Sequence, residues 1–390
     1  MIGVTASNSL APRRWFILAS AVVSFFAVGT TFFAVPPLVS ELTLKFGLSH
    51  FQIGILMGAI AIPAIALSIP LGLAIDRWPA RAAGNVGLGL MVAGAALFAV
   101  APAFPQLVAG RLLFGVGGLI MNLLLARLLS TAFAGRELAL AMGVFMAVYP
   151  ASMIVTFSAH PLLVAALGWR AELLCLAGLA IIAIPLHNVA VPAGLRGSPG
   201  TDVIPIGRLL SDLWGLAVSW MLFFAAFASV LTFAPEWIGG GRALLVATAI
   251  MWTSLVLSPA AGLVIDRTGY GERWMIGGQV LLALAVVTMT TGIVPPLAAM
   301  IAVGLGAAVV PTATYTLPGR LVPSHRLAVA FGLITAFSNL GTVVGPSLTG
   351  AIRDASGSWL APWLAVAMVA AVGAAFGVTV RPSRRADASA

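Results

Sequence analysis

Long, nearly uninterrupted apolar runs decide what this chain can be. They lie at about 15–39, 52–75, 83–101, 106–131, 138–166 and 171–190, and again at about 214–236, 243–265, 274–293, 297–319, 327–352 and 359–379. Each approaches the roughly 20 residues that an α-helix needs to cross the hydrocarbon of a bilayer. A crossing with its turn uses roughly 30 residues, so a chain of 390 residues accommodates about twelve spans. The runs are continuous instead of alternating at period two, which argues against a β-barrel. Composition closes the soluble alternative. Only 8% of the residues are charged and 61% are hydrophobic, against about 25% charged in a soluble domain. An all-α membrane protein of 12 transmembrane helices is expected, with the lipid bilayer as its first partner.

The longest polar interruption, about 191–212, contains Arg196-Gly197-Ser198-Pro199-Gly200-Thr201-Asp202. It divides the chain into an N-terminal six-helix bundle (1–190), a cytoplasmic linker loop (191–212) and a C-terminal six-helix bundle with a short cytoplasmic tail (213–390). A net charge of +9 and a pI near 11.3 would suggest nucleic acid in a soluble protein. Here cytoplasmic loops that collect Arg explain both, and no nucleic-acid partner is expected. Of the twenty basic residues, fourteen fall on one side together with both termini, and Lys45, Arg170, Arg242 and Arg353 fall on the other. Both termini are therefore expected in the cytoplasm of a bacterial inner-membrane protein. The first 14 residues are polar and end in Arg13-Arg14. They read as a cytoplasmic lead-in, and the apolar run after them is too long for a cleaved signal peptide. Cys175, the single cysteine, has no intramolecular disulfide partner and reads as packing.

The halves repeat. A shift of 190 places Gly72-Leu73-Ala74-Ile75-Asp76-Arg77 on Gly262-Leu263-Val264-Ile265-Asp266-Arg267, and Trp169 on Trp359. A shift of 189 places Gly115 and Gly117 on Gly304 and Gly306, and Leu138, Ala139, Ala141 and Gly143 on Leu327, Ala328, Ala330 and Gly332. With six spans per half, the two bundles are parallel repeats about an axis along the membrane normal.

On these residues the chain resembles the major facilitator superfamily, and the resemblance covers essentially its whole length. The family's loop motif, Gly-x-x-x-Asp-Arg-x-Gly-Arg-Arg/Lys, is matched by Gly72 to Arg81, with Pro79 and Ala80 replacing the usual Gly and Arg. The second copy, Gly262 to Gly271, keeps Asp266, Arg267 and Gly269. The resemblance implies two pseudo-symmetric six-helix bundles around a central midplane cavity, working by alternating access, with a small-molecule substrate. Gly72, Asp76, Arg77, Arg81, Gly262, Asp266 and Arg267 are the implied gating residues. Independently of any family, a carboxylate at a membrane boundary is stabilised by a helix N-terminus or by neighbouring Arg. Asp76 with Arg77 and Arg81 therefore fits a latch on the cytoplasmic ends of the helices.

Arg111 and Arg127 stand apart inside the fourth span. Leu107-x-x-x-Arg111-x-x-x-Gly115-x-Gly117 looks like a second family motif, and Arg111, Gly115, Gly118 and Asn122 share a face within about 60°. An Arg inside a span costs roughly 2.5–3.5 kcal/mol on insertion scales and turns toward protein or water. Arg111 reads as a cavity-facing functional charge in preference to a structural bridge to backbone carbonyls. Arg127 reads as a snorkelling side chain. On the fifth span Tyr149, Ser152, Thr156 and His160 share a face, and the eleventh carries Thr335, Ser338, Asn339 and Thr342. The tenth has Thr312, Tyr315 and Thr316, and the eighth Thr248 and Trp252. Each hydroxyl alone is explained by a bond to its own helix. It is the matching of stripes on equivalent spans that suggests a substrate cavity lined by Arg111, Asn122, Tyr149, Ser152, Thr156, His160, Trp252, Tyr315, Thr335 and Asn339.

Absences narrow the chemistry. No Asp or Glu lies in the middle of a span, whereas cation-exporting carriers usually need a buried acid. Lys45 lacks the glycines of a phosphate loop. His50, His160, His187 and His325 show no zinc spacing, so neither metal nor cofactor is expected. Gly115-Val116-Gly117-Gly118 follows no strand and reads as helix packing, as does Gly341-x-x-x-Gly345-Pro346-x-x-x-Gly350. No titratable cluster suggests an enzyme. The reading is a secondary active transporter, symporter or antiporter, of a small organic anion. A monomer is expected, with a coupling proton as a candidate partner. Asn122 to Arg127, followed by Gly135-Arg136-Glu137, is similar to bacterial members of the cyanate/nitrate-porter side of the superfamily. The paired Arg of nitrate carriers on the second and eighth spans is absent, so nitrate itself is not expected. Efflux of an amphiphilic drug or metabolite by proton antiport, favoured by Phe25-Phe26 and Phe32-Phe33, is the alternative within the class. A polytopic membrane enzyme or a non-transporting sensor is the alternative outside it. If the latch reading holds, Asp76→Asn shifts the resting population toward inward-facing, and engineered cysteines in the cytoplasmic half become more reactive. Unchanged protection of those cysteines would remove the latch.

Overall fold

The computed structural model describes residues 13–133, 137–195, 206–322 and 327–380. Among the described residues, twelve helices are long and apolar enough to cross a membrane. The first six are Arg14–Phe46, His50–Ser68, Ala80–Val100, Phe104–Ala132, Leu140–Leu167 and Trp169–Ala190. The last six are Leu210–Ile238, Ala243–Thr268, Gly271–Thr291, Pro296–Thr316, Val329–Ser356 and Leu360–Gly377. They are numbered here as spans one to twelve.

Proline decides where spans one and two break. The helix of span one runs Arg14–Phe32 and resumes, through a turn at Pro36–Leu38, as Val39–Phe46. Pro36 has no N–H, so the Phe32 carbonyl four residues earlier has no helical donor. Span two is likewise split, into His50–Ala59 and Ile62–Arg77. At its end, Pro79 leaves the Ile75 carbonyl without its helical donor. In hydrocarbon such groups must be bonded within the protein.

The chain forms two compact units. Unit 1 comprises Met1–Phe46 and Ala59–Thr201, and unit 2 comprises Gly47–Gly58 and Asp202–Ala390. The start of span two thus packs with the second set of spans, although no composition shift marks it.

Within unit 1, spans three and four meet backbone to backbone. A Cβ at Gly117 would strike the Gly87 carbonyl, and one at Gly110 would lie 2.7 Å from the Phe98 nitrogen. Gly115 seats the break of span two, where a Cβ would meet the Ile60 carbonyl. Unit 2 repeats these contacts. A Cβ at Gly304 would lie 2.6 Å from the Ile250 carbonyl, and one at Gly306 3.0 Å from the Gly278 carbonyl. Ile60 and Ile250 are 190 residues apart, the same offset as the sequence repeat. Small residues allow this closeness, which drives helix association where lipid is as apolar as the side chains.

Polar pairs complete each unit. Asn85 and Asn188 exchange amide hydrogen bonds of 3.0 Å between spans three and six. In unit 2 the Gln279 amide donates to Ser219 Oγ at 2.7 Å, and Ser219 donates to the Gly373 carbonyl at 2.9 Å, joining spans nine, seven and twelve.

Overpacking a tight contact of this kind costs about 1–3 kcal/mol. Gly117→Val and Gly306→Val should therefore each lower the thermal midpoint in detergent. Gly89→Val, whose Cβ would meet nothing within 4 Å, should leave it unchanged.

Candidate functional site

Arg111 sits at the break of span one. It is 1% exposed. Its Nη1 donates to the Thr31 carbonyl at 2.5 Å and its Nη2 to the Phe32 carbonyl at 3.2 Å. The second of these is the carbonyl deprived of a donor by Pro36. The guanidinium also lies 5.8 Å from the Phe98 ring centroid. The two readings open for Arg111 thus meet in one place: it bridges carbonyls, and it holds a full positive charge inside the span.

Tyr149 packs beside this break, with its ring 4.9 Å from Phe33, 5.7 Å from Phe32 and 6.4 Å from Phe25. Ser152 is fully buried against Gly29 and donates to the Tyr149 carbonyl at 2.7 Å. Thr156 and His160 are 4% exposed. They line a cavity of about 220 Å³ with Phe26 and Thr30 of span one and Glu172 and Cys175 of span six. The fifth-span residues Thr156 and His160, expected on the substrate cavity, thus face spans one and six. Helical periodicity groups residues on a face but does not say which neighbour that face meets. Asn122 is exposed.

Sequence reasoning passed over Glu172. It lies in the first turn of span six, where an acid reads as a complement to the helix dipole. It is 1% exposed, and its Oε1 stands 3.5 Å from His160 Nδ1. The acids of this chain thus avoid span centres, yet one is buried against a histidine.

Unit 2 presents its polar groups differently. Trp252 and Tyr315 are about half exposed. Tyr315 is held edge-on to Trp220 at 5.8 Å and lies 5.8 Å from Phe331. Thr335 is exposed and Asn339 half-buried, while Ser338 and Thr342 are buried. Ser338 and Asn339 both donate to the Thr335 carbonyl at 2.8 Å, so much of this stripe bonds its own helix.

The expected gating residues divide. Gly72 and Gly262 are half-buried, and Arg77, Asp266 and Arg267 are exposed. Asp76 falls in the helix Ile62–Arg77, but its side chain lies outside the described residues. Arg81, expected beside Asp76, donates through Nε to the Val191 carbonyl at 2.8 Å, closing the end of span six. Arg127, expected to snorkel, is half-buried and donates through Nη1 to the Ile75 carbonyl at 2.8 Å, the one stranded by Pro79. Arg320, just after span ten, donates to the Gly269 carbonyl at the end of span eight. Arg170 donates to the Ala99 and Ala101 carbonyls at 3.1 and 3.2 Å.

Comparison with known proteins agrees with this architecture. The family model of the Major Facilitator Superfamily matches residues 17–244 and again 238–390. A nitrite extrusion protein of Bacillus subtilis (strain 168) is 23% identical over 347 residues, covering 85% of this chain and 86% of that protein. The nitrate/nitrite transporter NrtP of Picosynechococcus sp. is 31% identical over 109 residues, 27% of this chain and 20% of that protein. Among solved structures, the nucleoside transporter NupG superposes with a TM-score of 0.80 at 14% identity, covering 94% of this chain and 99% of that one. A bacterial homolog of the human lysosomal transporter Spinster, inward-facing and unoccupied, gives 0.71 at 14% identity, with 95% of each chain covered. At such identity these structures speak to the fold alone. With a family match that spans nearly the whole chain and transport proteins as relatives, the chain belongs to the Major Facilitator Superfamily, as an integral membrane transporter.

Proposed function

We propose that the protein is a secondary active transporter that moves a small anion across the bacterial cytoplasmic membrane by alternating access, with both termini in the cytoplasm. The observation that carries this reading is Arg111. A full positive charge stands within span four, already stripped of water and fixed by two carbonyls at the break of span one. Such a charge is costly to place in a membrane and marks a substrate path more often than a scaffold. Guanidinium also matches carboxylate-like anions through parallel N–H donors. Two relatives whose names specify nitrite or nitrate support an anion as the substrate class. The sequence lacks the arginine pair expected of a nitrate carrier, which turns the choice toward a small organic anion.

Removing the charge should lower the transport rate on the order of 100-fold or more, equivalent to about 2.7 kcal/mol of barrier. In proteoliposomes, Arg111→Gln is expected to abolish saturable counterflow across a panel of small carboxylates, nitrite and cyanate. Arg111→Lys, which keeps the charge, should retain a measurable part. Anion counterflow at the parental rate in Arg111→Gln would overturn the anion reading. Counterflow of amphiphilic cations instead would favour efflux.

A further inference from the structure

His50 opens span two, and carboxylates hold both nitrogens of its ring. Nδ1 lies 2.7 Å from Asp354 Oδ1, and Nε2 lies 3.0 Å from Glu236 Oε1. Asp354 also accepts the backbone N–H groups of His50 and Phe51, each at 2.9 Å. It therefore caps the helix His50–Ala59 from the end of span eleven. All of these residues lie in unit 2.

The ring chemistry follows from counting donors. An ionised carboxylate only accepts, and a neutral imidazole offers a single N–H. Two ionised carboxylates on two ring nitrogens are satisfied together only by the imidazolium. The charged and titratable groups around the ring are Glu236 from span seven and Asp354 with Arg353 from span eleven. The Arg353 guanidinium is drawn onto the Trp359 ring at 5.0 Å, and that ring meets His50 edge-on at 5.7 Å. On the ring's own helix, Gln52 is engaged with the Ser49 N–H at 3.0 Å. Lys45, upstream in unit 1, lies 5.1 Å over the Trp169 ring.

The same segment is docked by backbone proximity. A Cβ at Gly350 would strike the His50 carbonyl, one at Gly54 would lie 2.5 Å from Ser347 Cα, and one at Gly58 would lie 2.7 Å from Val343 Cα. Packing between glycine faces does not change with pH. The bonds at the tip of the segment do.

We propose that His50, Glu236 and Asp354 form a proton-binding site that holds Gly47–Gly58 against span eleven while the proton is bound and releases it when the proton leaves. The full set of bonds exists only while the ring is the imidazolium and both carboxylates are ionised. Raising the pH through the His50 titration removes one donor and the charge, so docking weakens toward alkaline pH. The site rests on the transporter reading for its role, as the place where a coupling proton is taken up. It does not depend on which anion is carried.

The test uses the full-length protein with Cys175→Ala and a reporter thiol at Ile53, which is fully buried in the docked segment. N-ethylmaleimide labelling of Ile53→Cys is measured at pH 5.5 and 9.5. Each rate is divided by that of the same thiol in SDS-unfolded protein, which removes the pH dependence of the thiol itself. The normalised rate should rise at least tenfold at the higher pH. In His50→Gln it should be high at both pH values. Glu236→Gln leaves the Asp354 cap in place and should reduce the step at least threefold in a folded protein. A flat profile in the parent, or an undiminished step in both variants, would overturn the proposal. No transport is measured and no substrate is added in this assay, so its failure is distinguishable from failure of the anion reading.

Discussion

A carbonyl without a helical partner has no water to turn to in the hydrocarbon of a membrane, and this chain meets that constraint with arginine. Thr31 and Phe32 are bonded by Arg111, Ile75 by Arg127, Ala99 and Ala101 by Arg170, and Val191 by Arg81. Proline creates two of these needs, Pro36 at Phe32 and Pro79 at Ile75, by removing the donor four residues on. Arg111 makes the break of span one tolerable, and Arg127 does the same for the end of the helix Ile62–Arg77. A long side chain with five donors suits this task, because it reaches a neighbouring helix and still forks between two oxygens.

The architecture was legible in the sequence because the bilayer imposes it. A span must be apolar for its whole length, so twelve runs and the long polar gap between them mark the elements without any knowledge of packing. The repeat was legible as well, though its most telling pairs were the plainest. Gly115 with Gly304 and Gly117 with Gly306 are easy coincidences in a chain with 42 glycines. In space each pair makes the same close approach in its own unit, over Ile60 and Ile250 or over Gly87 and Gly278. A glycine carries no signature of what approaches it, which is why the contacts stayed hidden.

The site was less legible. Arg111 stood out by its cost, but its partner at Phe32 was overlooked although a signal for it was present: Pro36, four residues after that carbonyl. The stripe of Tyr149, Ser152, Thr156 and His160 was grouped correctly by helical period. Its neighbours are set by the packing of spans one and six, which periodicity does not contain. Glu172 was masked by a routine position at a helix start, and His50 by its isolation from the other histidines along the chain. Both depend on residues brought close by packing between spans far apart in sequence. The docking of Gly47–Gly58 in unit 2 has the same origin, since its apolar run continues into the helix that follows it.

The pairing of Pro36 with Arg111 makes two distant positions one energetic unit. Replacing Arg111 alone strands the Phe32 carbonyl, whereas replacing Pro36 as well returns an N–H to it, with the turn itself still held by Pro37. The two losses therefore do not add, and the double substitution is milder than the sum of the single ones. Tolerance to substitution at either position is decided by what occupies the other, 75 residues away along the chain.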